Sequence, residues 1–198
     1  MDELILLRHG ETEWSRDGRH TGRTDLPLTP KGEEQARALA PALKDKSFSL
    51  VLVSPALRAR RTAELAGITE YELDANLWEW DYGGYEGITT PDIRKRRPGW
   101  YLWRDGVIPG DAEHPGESIE QVAERADKVI ARVLQAEGTV VLVSHGHFLR
   151  VLTARWLGLP PQDGRCFKLD TGTISVLGFE HEEHAVARWN APVSSSPL

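Results

Sequence analysis

Two histidines and two arginines in this chain have the types and neighbours that suit chemistry on phosphate. They are Arg8, His9, Arg58 and His145, and each histidine is followed by a glycine, which lets the backbone approach a ligand closely. A neutral histidine is a good nucleophile near pH 7, and arginine binds phosphate with two parallel hydrogen bonds. The set indicates transfer of a phosphoryl group through a covalent intermediate on His9.

Each of these residues also has a simpler interpretation. A lone histidine is more often a hydrogen-bonded structural residue than a catalyst, and a lone arginine is more often part of a surface ion pair. A metal site is a further alternative, but neither His145 with His147 nor His181 with His184 has a strong metal-site spacing. Glycine-rich nucleotide loops are absent from the sequence. We therefore expect a protein that uses neither a metal nor a cofactor.

Three short apolar runs must position these side chains. Leu4–Leu7, Leu50–Val53 and Val140–Val143 are continuous and rich in β-formers, as expected for strands covered on both faces. Helical patterns separate them, which predicts an α/β fold: a three-layer α/β/α sandwich with a mostly parallel sheet. Ligands of such folds bind at the carboxyl ends of the strands. The candidate residues follow these ends and should meet at one edge.

The helices and the remaining strands have boundary signals of their own. Helices are expected from Thr29-Pro30 to about Lys46, from near Pro55, from Ser118 with a capping box to Gln121, and from after His147 to near Gly158. Two further strands, at Thr173–Glu180 and Ala185–Asn190, are expected to form a hairpin at a sheet edge.

Composition limits the class of protein. The 198 residues include 24 Lys and Arg against 30 Asp and Glu, a net charge of −6, which argues against nucleic-acid binding. The acidic start and the short run after it do not fit a signal peptide, and no run is long enough to span a membrane. We expect one cytoplasmic domain over residues 1–198, with a frayed tail over 192–198. Cys166 is expected to be a small buried residue.

An ordered series of short motifs carries a family resemblance over roughly residues 4 to 180. The motifs are Leu6-Leu7-Arg8-His9-Gly10-Glu11-Thr12, Thr21-Gly22, Asp25, Leu28-Thr29, Ser54-Pro55, Arg58, Thr62-Ala63, Glu79, Gly83, Glu86-Gly87, Gly116-Glu117-Ser118 and Ser144-His145-Gly146. Together they resemble the histidine phosphatase superfamily, which includes cofactor-dependent phosphoglycerate mutase. The resemblance implies the phosphoglycerate mutase-like fold.

The resemblance also implies roles for the site residues. His9 would become phosphohistidine, while Arg8, Arg58 and His145 would surround the phosphoryl oxygens and stabilise their charge. Glu79 would protonate the leaving oxygen and then accept a proton from water. The aromatic residues around Glu79 in the sequence are expected to favour its protonated form by desolvation, which predicts an acidic activity optimum.

Weaker correspondences concern the substrate. Ser15 and Thr21 are expected to give hydroxyl donors to phosphate, Gly22 and Gly146 backbone N–H groups, and Tyr82 and Arg150 contacts to the distal end of the substrate; many mutases have asparagine where Ser15 stands. The alternative for Arg150 is a surface charge on a helix. Arg94–Arg97 and Trp100–Trp103 are expected to form a substrate lid or pocket wall, or else a solvated face and core packing.

The chain resembles most the branch with the sugar-bisphosphatase of sedoheptulose type and bacterial acid phosphatases. Related mutases are usually longer, which favours a metal-independent acid phosphatase acting on a small phosphorylated metabolite. A phosphoglycerate mutase, a protein phosphatase and a non-catalytic module that binds phosphate or phosphoproteins are the alternatives. The last is disfavoured because the nucleophile and the acid are both present. A homodimer through a sheet edge or helix face is compatible with this fold.

Overall fold

The structure is a computed structural model that describes residues 1–192 and arranges them around a six-stranded sheet. The strands are β1 (Glu3–Arg8), β2 (Leu50–Val53), β3 (Glu72–Leu73), β4 (Thr139–Ser144), β5 (Ile174–Glu180) and β6 (Glu183–Ala191). Their order is β3-β2-β4-β1-β5-β6. The first four strands pair in parallel, whereas β5 and β6 are antiparallel to their neighbours. The predicted mostly parallel sheet is confirmed.

Seven α-helices accompany the sheet within residues 1–192. They are α1 (Glu13–Asp17), α2 (Pro30–Leu43), α3 (Leu57–Leu65), α4 (Thr90–Arg96), α5 (Leu102–Asp105), α6 (Ile119–Val133) and α7 (Gly146–Trp156). Alternate strand residues point to opposite faces, so the sheet has two apolar cores. One core packs against α6 and α7, and the other packs against α2 and α3. This is the expected three-layer α/β/α sandwich.

Some predicted boundaries were wrong for identifiable reasons. The first long helix ends at Leu43, because Lys44 leaves the helical conformation and only its N–H still bonds back to Ala40. Helix α7 begins at Gly146 rather than after His147. The predicted hairpin exists, but β5 lies inside the sheet because its other side pairs with β1, so that β6 alone forms the edge.

Several features were not predicted at all. Helices α1, α4 and α5 and strand β3 are too short to show a clear periodicity in sequence. Cys166 is exposed, contrary to the expectation that it is buried, because it ends a surface 3-10 turn over Pro161–Cys166. Of the predicted frayed tail, residues 193–198 lie outside the described residues. Within residues 1–192, no helix is both long and apolar enough to cross a membrane.

Candidate active site

The register of two parallel strands brings the two predicted histidines together. In the β1–β4 pair Arg8 lies opposite Ser144, so His9 and His145 follow strands that end side by side. The N–H of His9 donates to the Ser144 carbonyl at 3.0 Å. The two imidazole rings meet edge to face with 5.1 Å between their centroids. The strand-end argument from sequence therefore locates both residues correctly.

A backbone contact fixes the proton on His9. Its Nδ1 lies 2.7 Å from the carbonyl oxygen of Gly10. Because a carbonyl only accepts, Nδ1 carries the hydrogen, and Nε2 keeps a lone pair. Burial, together with the positive charges of Arg58 and Arg8, holds the pKa of His9 well below its ordinary value. The ring is therefore neutral at pH 7, as a nucleophile must be.

His145 is fixed by contacts at both ring nitrogens. Arg58 donates from Nε to His145 Nδ1 at 3.2 Å, so His145 Nε2 carries the hydrogen and donates to Ser54 Oγ at 2.7 Å. Burial, and next the charge of Arg58, lowers the pKa of His145 well below its ordinary value. The remaining nitrogens of Arg58 donate to the carbonyls of Gly22 at 2.9 Å and Thr24 at 3.0 Å. Both side chains are fully buried.

Glu79 caps the N-terminus of α7. Its Oε1 accepts from the N–H of Trp80 at 2.9 Å and of Phe148 at 2.8 Å, and its Oε2 accepts from the N–H of His147 at 3.0 Å. The last two amides belong to the first turn of α7, where N–H groups have no partner within the helix. The carboxyl group is therefore surrounded by amide donors, and the apolar environment expected from the neighbouring aromatic residues is wrong.

A cavity of about 260 Å³ lies at this edge of the sheet. Eight of the predicted site residues line it: Arg8, His9, Ser15, Thr21, Glu79, Tyr82, Gly146 and Arg150. Gly22, Arg58 and His145 do not line the cavity and stand behind its wall. A larger open groove of about 860 Å³, formed mainly by residues 101–109 and 115–120, contains none of the predicted catalytic residues.

Arg8 presents its guanidinium to this cavity. One of its terminal nitrogens donates to the Leu169 carbonyl, and among residues 1–192 no group bonds its buried Nε. A Cβ placed on Gly146 would lie 3.1 Å from Arg8 Cζ and 3.2 Å from its Nε, closer than most real contacts. Glycine at this position therefore leaves the room that the Arg8 guanidinium occupies.

The predicted phosphate donors are engaged with protein groups. Ser15 Oγ accepts from the Thr12 N–H at 2.9 Å and donates to the Thr12 carbonyl at 3.0 Å as part of the cap of α1. The Thr21 hydroxyl donates to the Arg19 carbonyl at 3.3 Å. The Gly22 N–H donates to the Glu86 carboxylate at 2.9 Å. The structure thus brings Ser15 and Thr21 to the cavity, but not the N–H of Gly22.

Glu86 holds the loop that carries these residues. Its carboxylate accepts from the N–H of Gly22 and, at 3.1 Å, from that of Thr24. The carbonyls of the same two residues accept from Arg58. The loop therefore spans the two charged side chains, with its N–H groups on the carboxylate and its carbonyls on the guanidinium.

The distal part of the cavity is aromatic. Tyr82 Oη lies 2.5 Å from His147 Nδ1, and Arg150 stacks its guanidinium over Trp103 at 4.6 Å from the ring centroid. Burial, and next the charge of Glu79, raises the pKa of Tyr82 well above its ordinary value. Arg150 also donates to the carbonyls of the turn over Pro161–Cys166. Arg150 is therefore part of the cavity wall rather than a free surface charge.

A second chamber of about 250 Å³ continues from the first. The two share His20, Thr90, His147 and Arg150, and the second is completed by Arg94 and residues 100–103. Trp100 and Trp103 are also buried in the core against α6 and α7. The aromatic segment therefore both walls the cavity and packs the core. Among residues 1–192, no cluster of three or more potential ligands forms a metal site.

Comparison with known proteins decides the family. The model of the histidine phosphatase superfamily (branch 1) matches residues 4–192. The chain belongs to the histidine phosphatase superfamily.

Relatives within this superfamily agree with that assignment. The chain is 44% identical to an acid phosphatase of Mycobacterium tuberculosis, over 90% of this chain and 87% of that protein. It is 32% identical to sedoheptulose 1,7-bisphosphatase of Saccharomyces cerevisiae, over 89% and 87% respectively. A solved structure of a Mycobacterium tuberculosis open reading frame product superposes with a TM-score of 0.89 at 41% identity, covering 98% of this chain and 99% of that one. The predicted fold and enzyme class, a histidine phosphatase, are confirmed.

Two cavity residues of this histidine phosphatase escaped the sequence analysis. His147 was considered only as half of a weak metal pair, and His20 was not considered. The available signals were their places next to the motifs Thr21-Gly22 and Ser144-His145-Gly146. His20 and His147 both line the cavity beside His9.

Proposed function

We propose that this phosphatase hydrolyses phosphomonoesters of small metabolites, of the sugar phosphate or bisphosphate type, through a phosphohistidine on His9. The observation that carries the proposal is the contact between His9 Nδ1 and the Gly10 carbonyl, beside a cavity that also presents Arg8 and Glu79. It leaves a neutral nitrogen nucleophile next to a phosphate-binding group and a carboxyl group. No other group is needed for phosphoryl transfer to water.

The reaction has two displacements at phosphorus. In the first, the lone pair of His9 Nε2 forms the N–P bond while the ester P–O bond breaks, and the leaving oxygen takes the proton of Glu79. In the second, a water oxygen attacks phosphorus, its proton passes to the Glu79 carboxylate, and the N–P bond breaks. Phosphate leaves, and both side chains return to their starting states.

Charge on the transferring group is stabilised by two arginines placed differently. Arg8 lines the cavity and contacts the phosphoryl oxygens directly. Arg58 lies behind the wall, so its charge acts across His145 and the loop carbonyls unless it exchanges one of them for a phosphate oxygen. This arrangement makes Arg8 the more direct contributor, and Arg58 and His145 the groups that position the site.

The size of the cavity supports a small substrate. Two connected chambers of about 260 and 250 Å³ accommodate a phosphoryl group and a short carbon chain. Two relatives are named for hydrolysis of phosphate esters, one as an acid phosphatase and one as a sedoheptulose 1,7-bisphosphatase. Cytoplasmic location, metal independence and assembly as a homodimer remain predictions; chelator treatment and sedimentation would test the last two.

Trapping the intermediate tests the proposal. Purified protein is mixed with a labelled sugar phosphate, without added metal, and quenched in alkali, in which phosphohistidine is stable. Label should remain on the wild type and be absent from His9→Ala, which should also fail to hydrolyse p-nitrophenyl phosphate. His181→Ala is the matched control, because this side chain is 91% exposed. Normal turnover by His9→Ala would refute the mechanism. Mutase turnover dependent on 2,3-bisphosphoglycerate, with negligible hydrolysis, would replace the function.

A further inference from the structure

Two imidazoles stand at the junction of the two chambers. His20 and His147 line both chambers, together with Thr90 and Arg150. Their rings lie nearly parallel, 13° apart, with 6.5 Å between centroids. A substrate that places its phosphoryl group at His9 and extends into the second chamber must pass these rings. The mechanism proposed above uses neither of them.

The structure fixes what His20 offers to a substrate. Its Nδ1 lies 2.6 Å from the Ile88 carbonyl, which only accepts, so Nδ1 carries the hydrogen and Nε2 keeps a lone pair. Tyr82 and Trp100 pack edge to face against the ring, with centroids at 4.9 and 5.6 Å. The ring is held rigidly, and no group within residues 1–192 bonds its Nε2. This nitrogen can accept a hydrogen bond but cannot donate one.

His147 offers a second position of the same kind. Its Nδ1 is engaged with the Tyr82 hydroxyl, and no group within residues 1–192 bonds its Nε2. The rings of Trp80 and Trp103 surround it edge to face, at 6.4 and 5.4 Å between centroids. Burial, and next the charge of Arg150, holds its pKa well below the ordinary value, so the ring is neutral near pH 7.

Neutral imidazoles select between substrate groups by hydrogen bonding. A hydroxyl both donates and accepts, so it can satisfy either ring nitrogen whichever one carries the hydrogen. A carboxylate only accepts, so it leaves the lone pair of His20 Nε2 unmatched and gains no ion pair from a neutral ring. The junction therefore suits a hydroxylated carbon better than a carboxylated one.

We infer that His20 and His147 are specificity-determining residues that hydrogen-bond hydroxyl groups of the substrate, so that the preferred substrates are phosphate esters of polyols and sugars. The inference rests on the proposed function, because the position of the hydroxyls is set by a phosphoryl group at His9. It adds the chemical class of the part of the substrate that is not transferred.

A pair of simple esters tests this directly. Glycerol 3-phosphate and n-propyl phosphate differ only in two hydroxyl groups, and kcat/KM is measured for each. The wild type should prefer the glycerol ester. In His20→Phe and His147→Phe, which keep a ring of similar size, this preference should fall by roughly 2- to 12-fold for each hydrogen bond lost. His20→Gln and His147→Gln keep a side-chain acceptor and should retain part of the preference.

Controls separate this inference from the proposed function. His181→Phe, at an exposed position outside the cavity, should keep the wild-type preference. p-Nitrophenyl phosphate reports phosphatase activity without a hydroxylated chain. A wild type that hydrolyses p-nitrophenyl phosphate but does not prefer the glycerol ester overturns the inference alone, as does an unchanged preference in the folded His20 and His147 variants. A wild type that hydrolyses none of the three esters overturns the proposed function itself.

Discussion

Substitution of Glu79 by glutamine separates the two tasks that the structure gives this side chain. The carboxyl group accepts three backbone N–H bonds, two of them from the first turn of α7. Glutamine has one acceptor oxygen, and its amide NH2 group would face an N–H donor. One buried donor is then left without a partner, which costs about 1–3 kcal/mol. For a chain of this length, the melting temperature should fall by roughly 2–12 °C.

The catalytic effect of the same substitution depends on the leaving group. If Glu79 is the general acid, its loss should cost about 10²- to 10⁴-fold in kcat for alkyl phosphates, whose leaving oxygen needs a proton. p-Nitrophenolate leaves without protonation, so hydrolysis of p-nitrophenyl phosphate should fall much less. Glu180→Gln is the matched control, because that side chain is 80% exposed.

Two results would refute this reasoning. Equal losses for the alkyl and aryl esters would mean that Glu79 positions α7 and its neighbours but does not transfer a proton. An unchanged melting temperature would mean that the three amide contacts contribute nothing to stability. Thermal unfolding followed by circular dichroism and steady-state kinetics on the two esters are sufficient to decide both points.

Three further changes have outcomes that follow from contacts described above. Gly146→Ala places a Cβ 3.1 Å from Arg8 Cζ, so kcat should fall by roughly 10-fold while the melting temperature stays within a few degrees; an unchanged kcat would show that Arg8 moves freely. Glu86→Gln loosens the loop that bonds Arg58, and it should lower kcat/KM for every ester by a similar factor; a loss confined to one ester would contradict a positioning role. The four buried histidines that line or support the cavity have lowered pKa values, so the unfolded chain binds more protons than the folded one below pH 6.5. Stability should therefore fall on acidification, by up to about 1.4 kcal/mol per pH unit for each histidine until its folded pKa is reached, and urea unfolding at pH 7.5 and 5.5 measures this.

The sequence predicts the framework of the site because its signals are local. Three continuous apolar runs become β1, β2 and β4, and the parallel register then makes the residues that follow them neighbours. That reasoning locates His9 and His145 without knowledge of any tertiary contact. It also identifies Arg58, one turn into the segment that follows β2.

The direction in which side chains point could not be predicted in the same way. Arg58 follows a strand end, yet its guanidinium turns back to bind loop carbonyls whose positions depend on Glu86. Glu79 lies between two tryptophans in sequence, yet its carboxyl group meets amides from a helix that begins 67 residues later. Both outcomes are set by contacts between distant segments, which a pattern of residue types does not contain.

The incompletely bonded guanidinium of Arg8 has a consequence for turnover in a cell. Its buried Nε has no partner among residues 1–192, and burial lowers its pKa, which shows that the surroundings do not fully compensate its charge. An oxyanion that bonds this nitrogen relieves that deficit, and inorganic phosphate, which the reaction releases, carries such oxygens. Phosphate should therefore act as a competitive inhibitor and raise the melting temperature by mass action. The rate of metabolite hydrolysis would then follow the phosphate status of the cell.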